Sequence, residues 1–305
     1  MRKISVVIPT YNGAEVIPRC LNSLRRQEGA GKLYELEIIA ADDHSSDGTW
    51  ELLRAEKDVI ALRTPRNTGG PSAGRNLGLE AAAGDFIALI DQDDEWHPAK
   101  LQRQLELIDR AALVFCDFEI LDQLTGKTDY FSDRSGKVLF YEPNQVFLRL
   151  LRWEKDSQSP LALISSLLFH RDLKRIRFEE NFGVCDFDYL LKLTAGQPAA
   201  RICVPLITRH VYGSNLSLNP YFRRVAHYHS LMTLEEYEDR YPKEVALAAR
   251  RINGTYARYF YKIGRMKKAR KYFRRSQWNW KTLGYIITSY FGANWVKKHF
   301  RIFGS

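Results

Sequence analysis

Three carboxylates stand within four residues of one another, directly after a short apolar run. Phe86 to Ile90 is typical of a buried strand, and Asp91-Gln92-Asp93-Asp94 follows it. Neighbouring like charges repel, so carboxylates beside a core need a cation or a strong hydrogen-bond network. Mg²⁺ and Mn²⁺ prefer such oxygen ligands, and Mg²⁺ is commonly held by one or two carboxylates and by phosphate oxygens. The alternative is that the acidic run, continued by Glu95, forms the first turn of a helix before Pro98.

Further polar groups follow other predicted strands. The apolar runs are Ile4 to Ile8, Leu36 to Ala41, Val59 to Leu62 and Asp85 to Ile90. They alternate with helical patterns, which predicts βαβ units and a mostly parallel sheet with helices on both faces. Ligands bind outside the carboxyl ends of such strands. Thr10 to Asn12, Asp42-Asp43 and Asp91 to Asp94 follow three of these ends, so they are expected to share one rim, which favours a ligand site.

Beyond residue 111 the regular alternation stops. The predicted elements are a strand over Val114–Leu121, a polar, turn-rich stretch over Leu124–Tyr141, helices over Val146–Trp153 and Asp186–Leu193, and an extended segment over Arg201–Val211. Only helical patterns follow Asn219-Pro220. These changes predict a first domain of residues 1–219, with halves 1–110 and 111–219, and a helical region of residues 220–305.

Positive charge is concentrated at the C-terminal end of the 305-residue chain, whose net charge is +10. Residues 241–305 contain sixteen Lys or Arg and a single acidic residue, Glu244, so the first 240 residues are net acidic. A nucleic-acid-binding module that uses the basic region is therefore one hypothesis. The polar rim predicted for the acidic part argues against it, and we expect no nucleic-acid partner.

Several classes of protein are disfavoured by the sequence. No uninterrupted apolar segment reaches the length of a membrane span, and the first residues lead into a strand instead of a signal peptide. Cys20, Cys116, Cys185 and Cys203 show no C-x-x-C spacing, so we expect reduced, mostly buried thiols and no zinc site. These features predict a cytoplasmic protein.

Taken in order, the motifs of the first part of the chain resemble a known family. They are Val6 to Asn12, Cys20 to Leu24, Asp42 to Thr49, Asn67 to Gly69, Ala73 to Gly78 and Asp91 to Asp94. This series is similar to the family 2 glycosyltransferases, inverting enzymes of the GT-A fold. The resemblance implies an α/β, Rossmann-like nucleotide-diphospho-sugar transferase fold, with residues 1–110 binding the nucleotide sugar, residues 111–219 binding the acceptor, and a C-terminal α-helical extension.

The resemblance also implies roles for individual residues. Contacts to the nucleotide sugar are implied for Pro9, Tyr11, Asn12, Asp43, Arg75, Asp91, Gln92 and Arg209. Tyr11 would lie against the base, and Asp43 would accept a hydrogen bond from a pyrimidine N–H. Asp93 is implied as the direct ligand of Mn²⁺ or Mg²⁺, with His210 as a second ligand. A cation that bridges two phosphates stabilises the charge of a departing nucleoside diphosphate.

The same resemblance implies a general base for the attacking hydroxyl. In the family this base belongs to an acidic pair at a helix start, and the matching residue here is Asp186, with Asp188 as an alternative. Cys185 stands where the family usually has Glu, and His44 stands where Gly is frequent. Asp186 also fits a purely structural role, because acidic side chains stabilise helix N-termini.

Structural alternatives remain open for the other positions as well. Tyr11 would then cap the sheet, Asp43 would cap a helix start at Ser45, and Arg75 would pair with a local carboxylate. A single histidine such as His210 is often structural or exposed. Asp94 is expected to begin the helix that follows the acidic run.

The sequence therefore predicts a metal-dependent, hexosyltransferase-type glycosyltransferase. It would move a single sugar from a UDP- or dTDP-sugar to a hydroxyl of a saccharide or lipid-linked saccharide, in bacterial surface polysaccharide or lipopolysaccharide biosynthesis. Single-sugar transfer is expected because the Gln-x-x-Arg-Trp motif of processive members is missing. The alternative is a non-catalytic nucleotide-sugar-binding protein.

Aromatic and basic residues are interleaved through residues 254–302. The aromatic members are Tyr256, Tyr259, Phe260, Tyr261, Phe273, Trp278 and Trp280, and Lys267 to Lys271 and Arg274-Arg275 lie among them. Amphipathic helices of this composition bind anionic membrane surfaces, which predicts peripheral attachment to the inner face of the cell membrane. The alternative is that the aromatic side chains pack inside the protein while the cations are solvated.

Overall fold

A computed structural model of the protein describes residues 1–132, 134–156, 159–160, 162–183, 186–213, 215 and 218–299. The strands are β1 (Arg2–Thr10), β2 (Tyr34–Asp42), β3 (Val59–Arg63), β4 (Phe86–Leu89), β5 (Asp94–Trp96), β6 (Leu113–Asp122), β7 (Thr128–Phe131), β8 (Val138–Tyr141), β9 (Lys155–Asp156), β10 (Ser159–Pro160), β11 (Leu168–His170) and β12 (Ala199–Val211). The helices are α1 (Ile17–Arg25), α2 (Thr49–Ala55), α3 (Pro71–Ala81), α4 (Lys100–Leu105), α5 (Gln145–Leu151), α6 (Asp186–Thr194), α7 (Pro220–Glu235), α8 (Pro242–Lys262), α9 (Met266–Phe273), α10 (Trp280–Thr288) and α11 (Ala293–His299).

The main sheet has the strand order β3-β2-β1-β4-β11-β6-β12-β5, with β7 beside β6 and β8 beside β12. It is parallel from β3 through β4, as the βαβ pattern predicts. Beyond β4 it is mixed, because β11 runs antiparallel to both β4 and β6, whereas β6 and β12 are parallel. The second half of the chain therefore joins the sheet through the short strand β11.

Strand β1 is buried on both faces of the sheet. Ile4 and Ile8 belong to the main apolar core, which also receives Leu21 of α1. On the opposite face, Val7 lies so close to Gly78 of α3 that a Cβ at Gly78 would be 2.3 Å from Cγ1 of Val7. Helices thus cover both faces, and the near-continuous apolar sequence of β1 follows from this double burial.

Three strands differ from the sequence-based expectations. The stretch Leu124–Tyr141, predicted to be polar and turn-rich, contains β7 and β8. Asp94 lies in β5, a three-residue strand antiparallel to β12, so the prediction that it begins a helix is wrong. The next helix starts only at Lys100. Backbone pairing with β12 therefore stabilises an extended conformation of this acidic segment, which outweighs its helix propensity.

The chain forms two compact units, and each has its own core. Unit 1 comprises Met1–Leu150 with Lys155–Arg223, and unit 2 comprises Leu151–Glu154 with the chain from Arg224 onward. Unit 2 contains helices, as predicted for residues after 220, and its apolar cluster is formed by α8, α9 and α11. The boundary between the halves at residues 110 and 111 stays a prediction, since both halves contribute strands to one sheet.

Most of the aromatic side chains singled out in the C-terminal sequence are inside unit 2. Tyr256, Phe260, Tyr261 and Phe273 are buried in its apolar cluster, whereas Trp278 and Trp280 are exposed. Packing therefore accounts for the first group only. Among the described residues, no helix combines the length and the apolar content needed to cross a bilayer.

The cysteines follow the prediction where the structure describes them. Cys20 and Cys116 are buried free thiols, Cys203 is buried as well, and Cys185 lies outside the described residues. Burial and the nearby Asp94, Asp93 and Asp91 carboxylates raise the pKa of the Cys20 thiol, because a thiolate would add another negative charge to a crowded region.

Candidate active site at the strand ends

The residues that follow β1, β2 and β4 meet at one rim of the sheet. The main-chain N–H of Tyr11 donates to Oε1 of Gln92 at 2.9 Å, and Nε2 of Gln92 donates to the carbonyl oxygen of Tyr11 at 3.0 Å. Oδ1 of Asn12 accepts from the N–H of Ser46 at 2.9 Å. These bonds connect the ends of β1, β2 and β4, so the predicted convergence is observed. We call Thr10–Asn12, Asp42–Asp43 and Asp91–Asp93 the strand-end rim.

The side chains of the first strand end differ in exposure. Tyr11 is 47% exposed, which leaves its ring available to a ligand and argues against a role in capping the sheet. Pro9 is buried beneath α3, where a Cβ at Gly74 would lie 3.4 Å from the Cβ of Pro9. The contact predicted between Pro9 and the nucleotide therefore stays a prediction, and the observed position shows how β1 and α3 pack.

Asp43 is buried and is held by the segment after β3. Its Oδ1 accepts hydrogen bonds from the hydroxyls of Thr64 and Thr68 at 2.9 and 2.8 Å, and its Oδ2 accepts from the N–H of Thr68 at 3.0 Å. The structural alternative was that Asp43 caps a helix start at Ser45. Asp42 makes that contact instead, because the N–H of Ser45 donates to Asp42. Thr64 and Thr68 therefore fix the orientation of the Asp43 carboxylate, and the residues at Ser45 do not.

The turn after Asp43 explains a departure from the family pattern. His44 has a φ of +62°, in the left-handed region that glycine adopts most easily. Its Nδ1 lies 3.4 Å from the carbonyl oxygen of Thr64. The backbone therefore keeps the conformation that a glycine would allow, and the imidazole adds a polar group next to Asp43.

The acidic run after β4 is crowded, and burial adds to the crowding. Burial and the Asp91 carboxylate raise the pKa of Asp93, and burial with Asp91 and Asp93 raises that of Asp94. Oδ2 of Asp94 accepts a hydrogen bond from the hydroxyl of Ser165 at 2.5 Å, while its Oδ1 has no hydrogen-bond partner among the described residues. A hard divalent cation would offset the repulsion between these three neighbouring carboxylates and would favour their charged forms.

Asp93 is held in place by residues from two other elements. Nδ2 of Asn215 donates to its Oδ2 at 2.9 Å, and Nη2 of Arg19 donates to its carbonyl oxygen at 2.8 Å. Arg209 of β12 lies opposite Asp94 in the ladder and opposes the rise of the pKa of Asp93. The structure therefore brings Arg209 to the acidic run, as the site prediction requires.

The imidazole of His210 contacts Gln123 and Glu95. Its Nδ1 is 2.6 Å from Nε2 of Gln123, and its Nε2 is 3.5 Å from Oε2 of Glu95. Burial and the Arg19 guanidinium lower the pKa of His210, and its Nε2 has no hydrogen-bond partner among the described residues. A neutral imidazole whose buried Nε2 makes no hydrogen bond among the described residues fits a ligand. The described residues, however, form no cluster of three or more His, Cys, Asp or Glu that would hold a metal by themselves.

Arg75 is the central cation of the site. Its side chain is 2% exposed, and it donates to Oδ1 of Asp186 at 2.6 Å and to Oδ1 of Asp91 at 2.7 Å. Burial opposes its charge, but the carboxylates of Asp186 and Asp91 outweigh burial and raise its pKa. The guanidinium also lies 4.9 Å above the ring of Phe178. Arg75 thereby connects the end of β4 to the start of α6.

Glycines allow α3 to bring Arg75 to this position. A Cβ at Gly70, before the first residue of α3, would lie 2.2 Å from the carbonyl oxygen of Gly183. The hydroxyl of Ser72 donates to the same oxygen at 3.3 Å. Further along α3, Asn76 donates to the carbonyl oxygen of Phe178 at 2.9 Å. The helix thus packs closely on β1 through one side and binds the segment before α6 through the other.

The two candidate bases in α6 have different surroundings. The Asp186 side chain is 44% exposed and contacts Arg75, whereas the Asp188 side chain is 2% exposed and contacts Lys192 at 2.8 Å. Asp188 is therefore a buried, structural carboxylate. Cys185, which replaces the usual family residue, lies outside the described residues.

Sequence reasoning missed four residues that organise this site. They are Arg19, Ser165, Phe178 and Asn215, which contact Asp93, Asp94, Arg75 and Asp93 respectively. Arg19 lies within α1, between the buried Ile17 and Cys20, and no local pattern distinguishes it from other surface arginines. The other three belong to segments without a recognisable motif.

Comparison with known proteins identifies the family. Residues 5–182, more than half of the chain, match Glycosyl transferase family 2. The protein TarS of Staphylococcus aureus, a poly(ribitol-phosphate) beta-N-acetylglucosaminyltransferase, is 34% identical over 112 residues, which cover 36% of this chain and 19% of that protein. The succinoglycan biosynthesis protein ExoO of Rhizobium meliloti is 37% identical over 222 residues, which cover 68% of this chain and 60% of that protein. The match thus spans less than two thirds of either relative.

Solved structures give the fold. The crystal structure of residues 1-349 of S. aureus TarS in complex with UDP-GlcNAc has a TM-score of 0.66 at 17% identity, over 90% of this chain and 82% of that one. Its likeness confirms the predicted GT-A fold with C-terminal helices. Together with the family match over residues 5–182, the order of β1–α1–β2 and the rim at the strand ends, this establishes the relationship. The chain belongs to family 2 of the glycosyltransferases.

Proposed function

We propose that the protein transfers a single sugar, with inversion, from a UDP- or dTDP-sugar to a hydroxyl of a saccharide or lipid-linked saccharide. The process would be the assembly of a bacterial surface polysaccharide or lipopolysaccharide. The observation that carries the proposal is the buried Arg75, which binds Asp91 at the rim and Asp186 at the start of α6. One cation thereby connects the implied donor site with the implied base. The complex of TarS with UDP-GlcNAc supports a UDP-sugar as the donor, and the role of ExoO in succinoglycan biosynthesis supports a polysaccharide as the product.

In this proposal Asp186 is the general base. Arg75 binds its Oδ1 and so fixes the orientation of the carboxylate, while the exposure of the side chain allows an acceptor hydroxyl to approach. The carboxylate takes the proton of that hydroxyl as the hydroxyl oxygen attacks the anomeric carbon, and the bond between that carbon and the nucleoside diphosphate breaks. Asp188 is too buried for this task.

The donor would lie along the strand-end rim. Tyr11 offers an exposed ring to the base, and Asp43 and Asn12 present polar atoms that neighbouring segments hold in place. Gln92 acts through the backbone of Tyr11, since both of its amide atoms bind there. Arg209 supplies positive charge beside the acidic run, where the diphosphate is expected.

Asp93 would hold Mn²⁺ or Mg²⁺ together with phosphate oxygens of the donor, and His210 is the candidate for a further ligand. The raised pKa of Asp93 supports this assignment, as does Nε2 of His210, which makes no hydrogen bond among the described residues. When bound, such a cation stabilises the negative charge of the departing nucleoside diphosphate. We propose that the protein acts in the cytoplasm, at the inner face of the membrane where its acceptor is lipid-linked.

The test is a thermal-shift screen of nucleotide sugars with and without Mn²⁺, followed by a transfer assay. We expect one donor to raise the melting temperature more with Mn²⁺ than without it, and we expect a chelator to remove both this increment and transfer. Asp93→Ala should have the same effect as the chelator, while Asp109→Ala, which removes an exposed surface carboxylate, should change neither. Full turnover by Asp93→Ala, or by chelated enzyme, contradicts the metal assignment, and the absence of any stabilising donor contradicts the function.

A further inference from the structure

Helix α10 in unit 2 has polar as well as apolar side chains on its inward side. Tyr285 and Ile286 pack against the apolar cluster of unit 2, and Thr282, Thr288 and Ser289 are buried beside them. The hydroxyls of Thr288 and Tyr261 are 2.8 Å apart, and Nη1 of Arg270 donates to the carbonyl oxygen of Ser289 at 2.8 Å. Packing and hydrogen bonds therefore hold the inward side of α10 inside the unit.

Large apolar side chains occupy the outward face and the flanks of the same helix. They are Trp278, Trp280, Ile287, Tyr290 and Phe291, whose exposed fractions are 63%, 87%, 51%, 64% and 57%. We call these five residues the α10 surface. Trp280 and Ile287 are seven residues apart and therefore lie on the same side of the helix, about two turns from one another. Single exposed apolar residues are common, but a concentration of large ones marks an interaction site.

Positive charge surrounds the α10 surface in the sequence. Arg274, Arg275 and Lys281 are exposed beside it. Residues 241–305 carry sixteen Lys or Arg and one Glu, so the partner must tolerate a strongly basic neighbour. Exposed aromatic rings with surrounding cations have the composition of helices that lie in the headgroup region of a bilayer. An anionic lipid surface complements both features at once.

We propose that the α10 surface binds the headgroup region of an anionic lipid bilayer. The rings of Trp278 and Trp280 and the side chain of Ile287 enter the boundary between headgroups and acyl chains, while Lys281 and its basic neighbours contact the phosphates. This proposal goes beyond sugar transfer, and vesicle binding can be measured without any substrate. It therefore stands or fails separately from the proposed function.

Two other occupants fit the α10 surface less well. A second copy of the chain would bring an equally basic region against it, and like charges at an interface oppose association. A nucleic acid would match the charge, and its bases stack on aromatic rings, but it offers no counterpart for the aliphatic side chain of Ile287. A lipid surface is the partner that uses the cations and the apolar side chains together.

The test is flotation of the full chain with phosphatidylcholine vesicles, with and without phosphatidylglycerol. We expect binding to the anionic vesicles, weak binding to the neutral ones, and weakening by salt. The variant Trp280→Ser/Ile287→Ser should lower the partition coefficient at least about tenfold, because it removes two large side chains from the apolar boundary. The control variant Leu124→Ser/Tyr130→Ser removes two exposed apolar side chains from unit 1 and should leave vesicle binding unchanged.

Several results would overturn the proposal. One is a wild-type protein that does not float with anionic vesicles, and another is a Trp280→Ser/Ile287→Ser variant that binds them as well as the wild type. A third is a wild-type dimer, seen by sedimentation, that this variant converts to monomer, since the surface would then bind a second copy. Oligonucleotide binding that the variant loses, without vesicle binding by the wild type, would assign the surface to nucleic acid.

Discussion

At the strand-end rim of unit 1 the cation Arg75 is fully buried, whereas in unit 2 Trp280 at the start of α10 is almost fully exposed. Both side chains depart from the usual segregation of apolar groups inside and charges outside, and they do so in opposite directions. The difference lies in compensation. Arg75 binds Asp91 and Asp186 within the same unit, while the five side chains of the α10 surface are each more than half exposed.

This contrast separates two kinds of functional feature. A buried charge is tolerated because protein partners offset its loss of hydration, so its role is to organise other groups inside the fold. An exposed apolar cluster is offset only by something that the protein binds. The rim should accordingly be sensitive to single substitutions in both stability and chemistry, whereas the α10 surface should tolerate substitution until a membrane is present.

The largest effect is expected from Asp186→Asn at the start of α6 in unit 1. The amide keeps the size of the side chain but cannot take a proton, so the transfer rate should fall by about 10²- to 10⁴-fold. Donor binding should change little, because Asp186 is implied to act on the acceptor. Initial rates and donor titrations on the same preparation measure the two effects.

The matched control for Asp186 is Asp188→Asn, two residues further along α6. Because Asp188 is buried and paired with Lys192, its replacement should lower the melting temperature more than Asp186→Asn does. It should leave the chemical step of the remaining folded enzyme nearly unchanged. If Asp186→Asn keeps the wild-type rate, Asp186 is not the base.

Arg75→Met, which removes the cation that binds Asp91 of the rim, should be the most destabilising of these substitutions. It leaves Asp91 and Asp186 without their shared cation and is expected to cost roughly 2–4 kcal/mol in the free energy of unfolding, the range for removing one partner of a buried pair whose other members are partly solvated. Arg75→Lys should recover less than half of this loss, because a single ammonium group does not reproduce two directed guanidinium contacts. Urea unfolding of both variants measures these changes in the free energy of unfolding. An Arg75→Met protein as stable as the wild type would show that the ion pairs of Arg75 with Asp91 and Asp186 do not stabilise the fold.

Gly70→Ala tests the contact between α3 and the segment before α6. The backbone at Gly70 is extended, with a φ of 176°, so alanine is not disfavoured by conformation. Its Cβ would still lie 2.2 Å from the carbonyl oxygen of Gly183, and the forced displacement should cost about 1–3 kcal/mol. Ser72→Ala, which removes only a 3.3 Å hydrogen bond to the same oxygen, is the control and should cost less. If Gly70→Ala and Ser72→Ala have the same free energy of unfolding, the segment around Gly183 moves away from the added Cβ without cost.

The rim was predictable from sequence because its parts follow local rules. Apolar runs ended by polar residues gave β1, β2 and β4, and the carboxyl ends of parallel strands necessarily meet. The contact of Arg75 with Asp186 joins residues far apart in the sequence, and no local pattern encodes it. Asp94 was assigned to a helix start because β5 has only three residues, too few for a recognisable alternation, and its ladder with β12 is formed by a distant segment.

Composition alone did not separate the two kinds of aromatic residue in unit 2. Tyr256 and Trp280 belong to the same basic, aromatic stretch of sequence, yet the first is buried and the second is exposed. Their difference depends on which face of α8 and α10 meets the other helices. That choice is decided by packing between helices, which a single amphipathic pattern does not specify.

The smallest effect concerns His227, a buried titratable group that contrasts with the paired charges of the rim. Its ring stacks on Tyr256 with centroids 4.0 Å apart, and neither ring nitrogen has a hydrogen-bond partner among the described residues. Burial lowers the pKa of His227 from 6.5 to about 4, so the folded protein keeps the ring neutral. As the pH falls from 6.5 towards about 4, the unfolded chain takes up a proton that the folded chain does not, and stability is lost.

His227→Phe should therefore make unit 2 less sensitive to acid. The phenyl ring keeps the stacking on Tyr256 and binds no proton, so the variant should lose less free energy of unfolding than the wild type over this interval. The difference in slope should be below about 1.4 kcal/mol per pH unit, the limit for one proton. Denaturant unfolding across the acidic range measures both slopes. If the wild type and His227→Phe show the same slope of unfolding free energy against pH, His227 takes up its proton in the folded protein as readily as in the unfolded chain. Unit 2 would then supply a partner for the charged imidazole, as the rim does for Arg75.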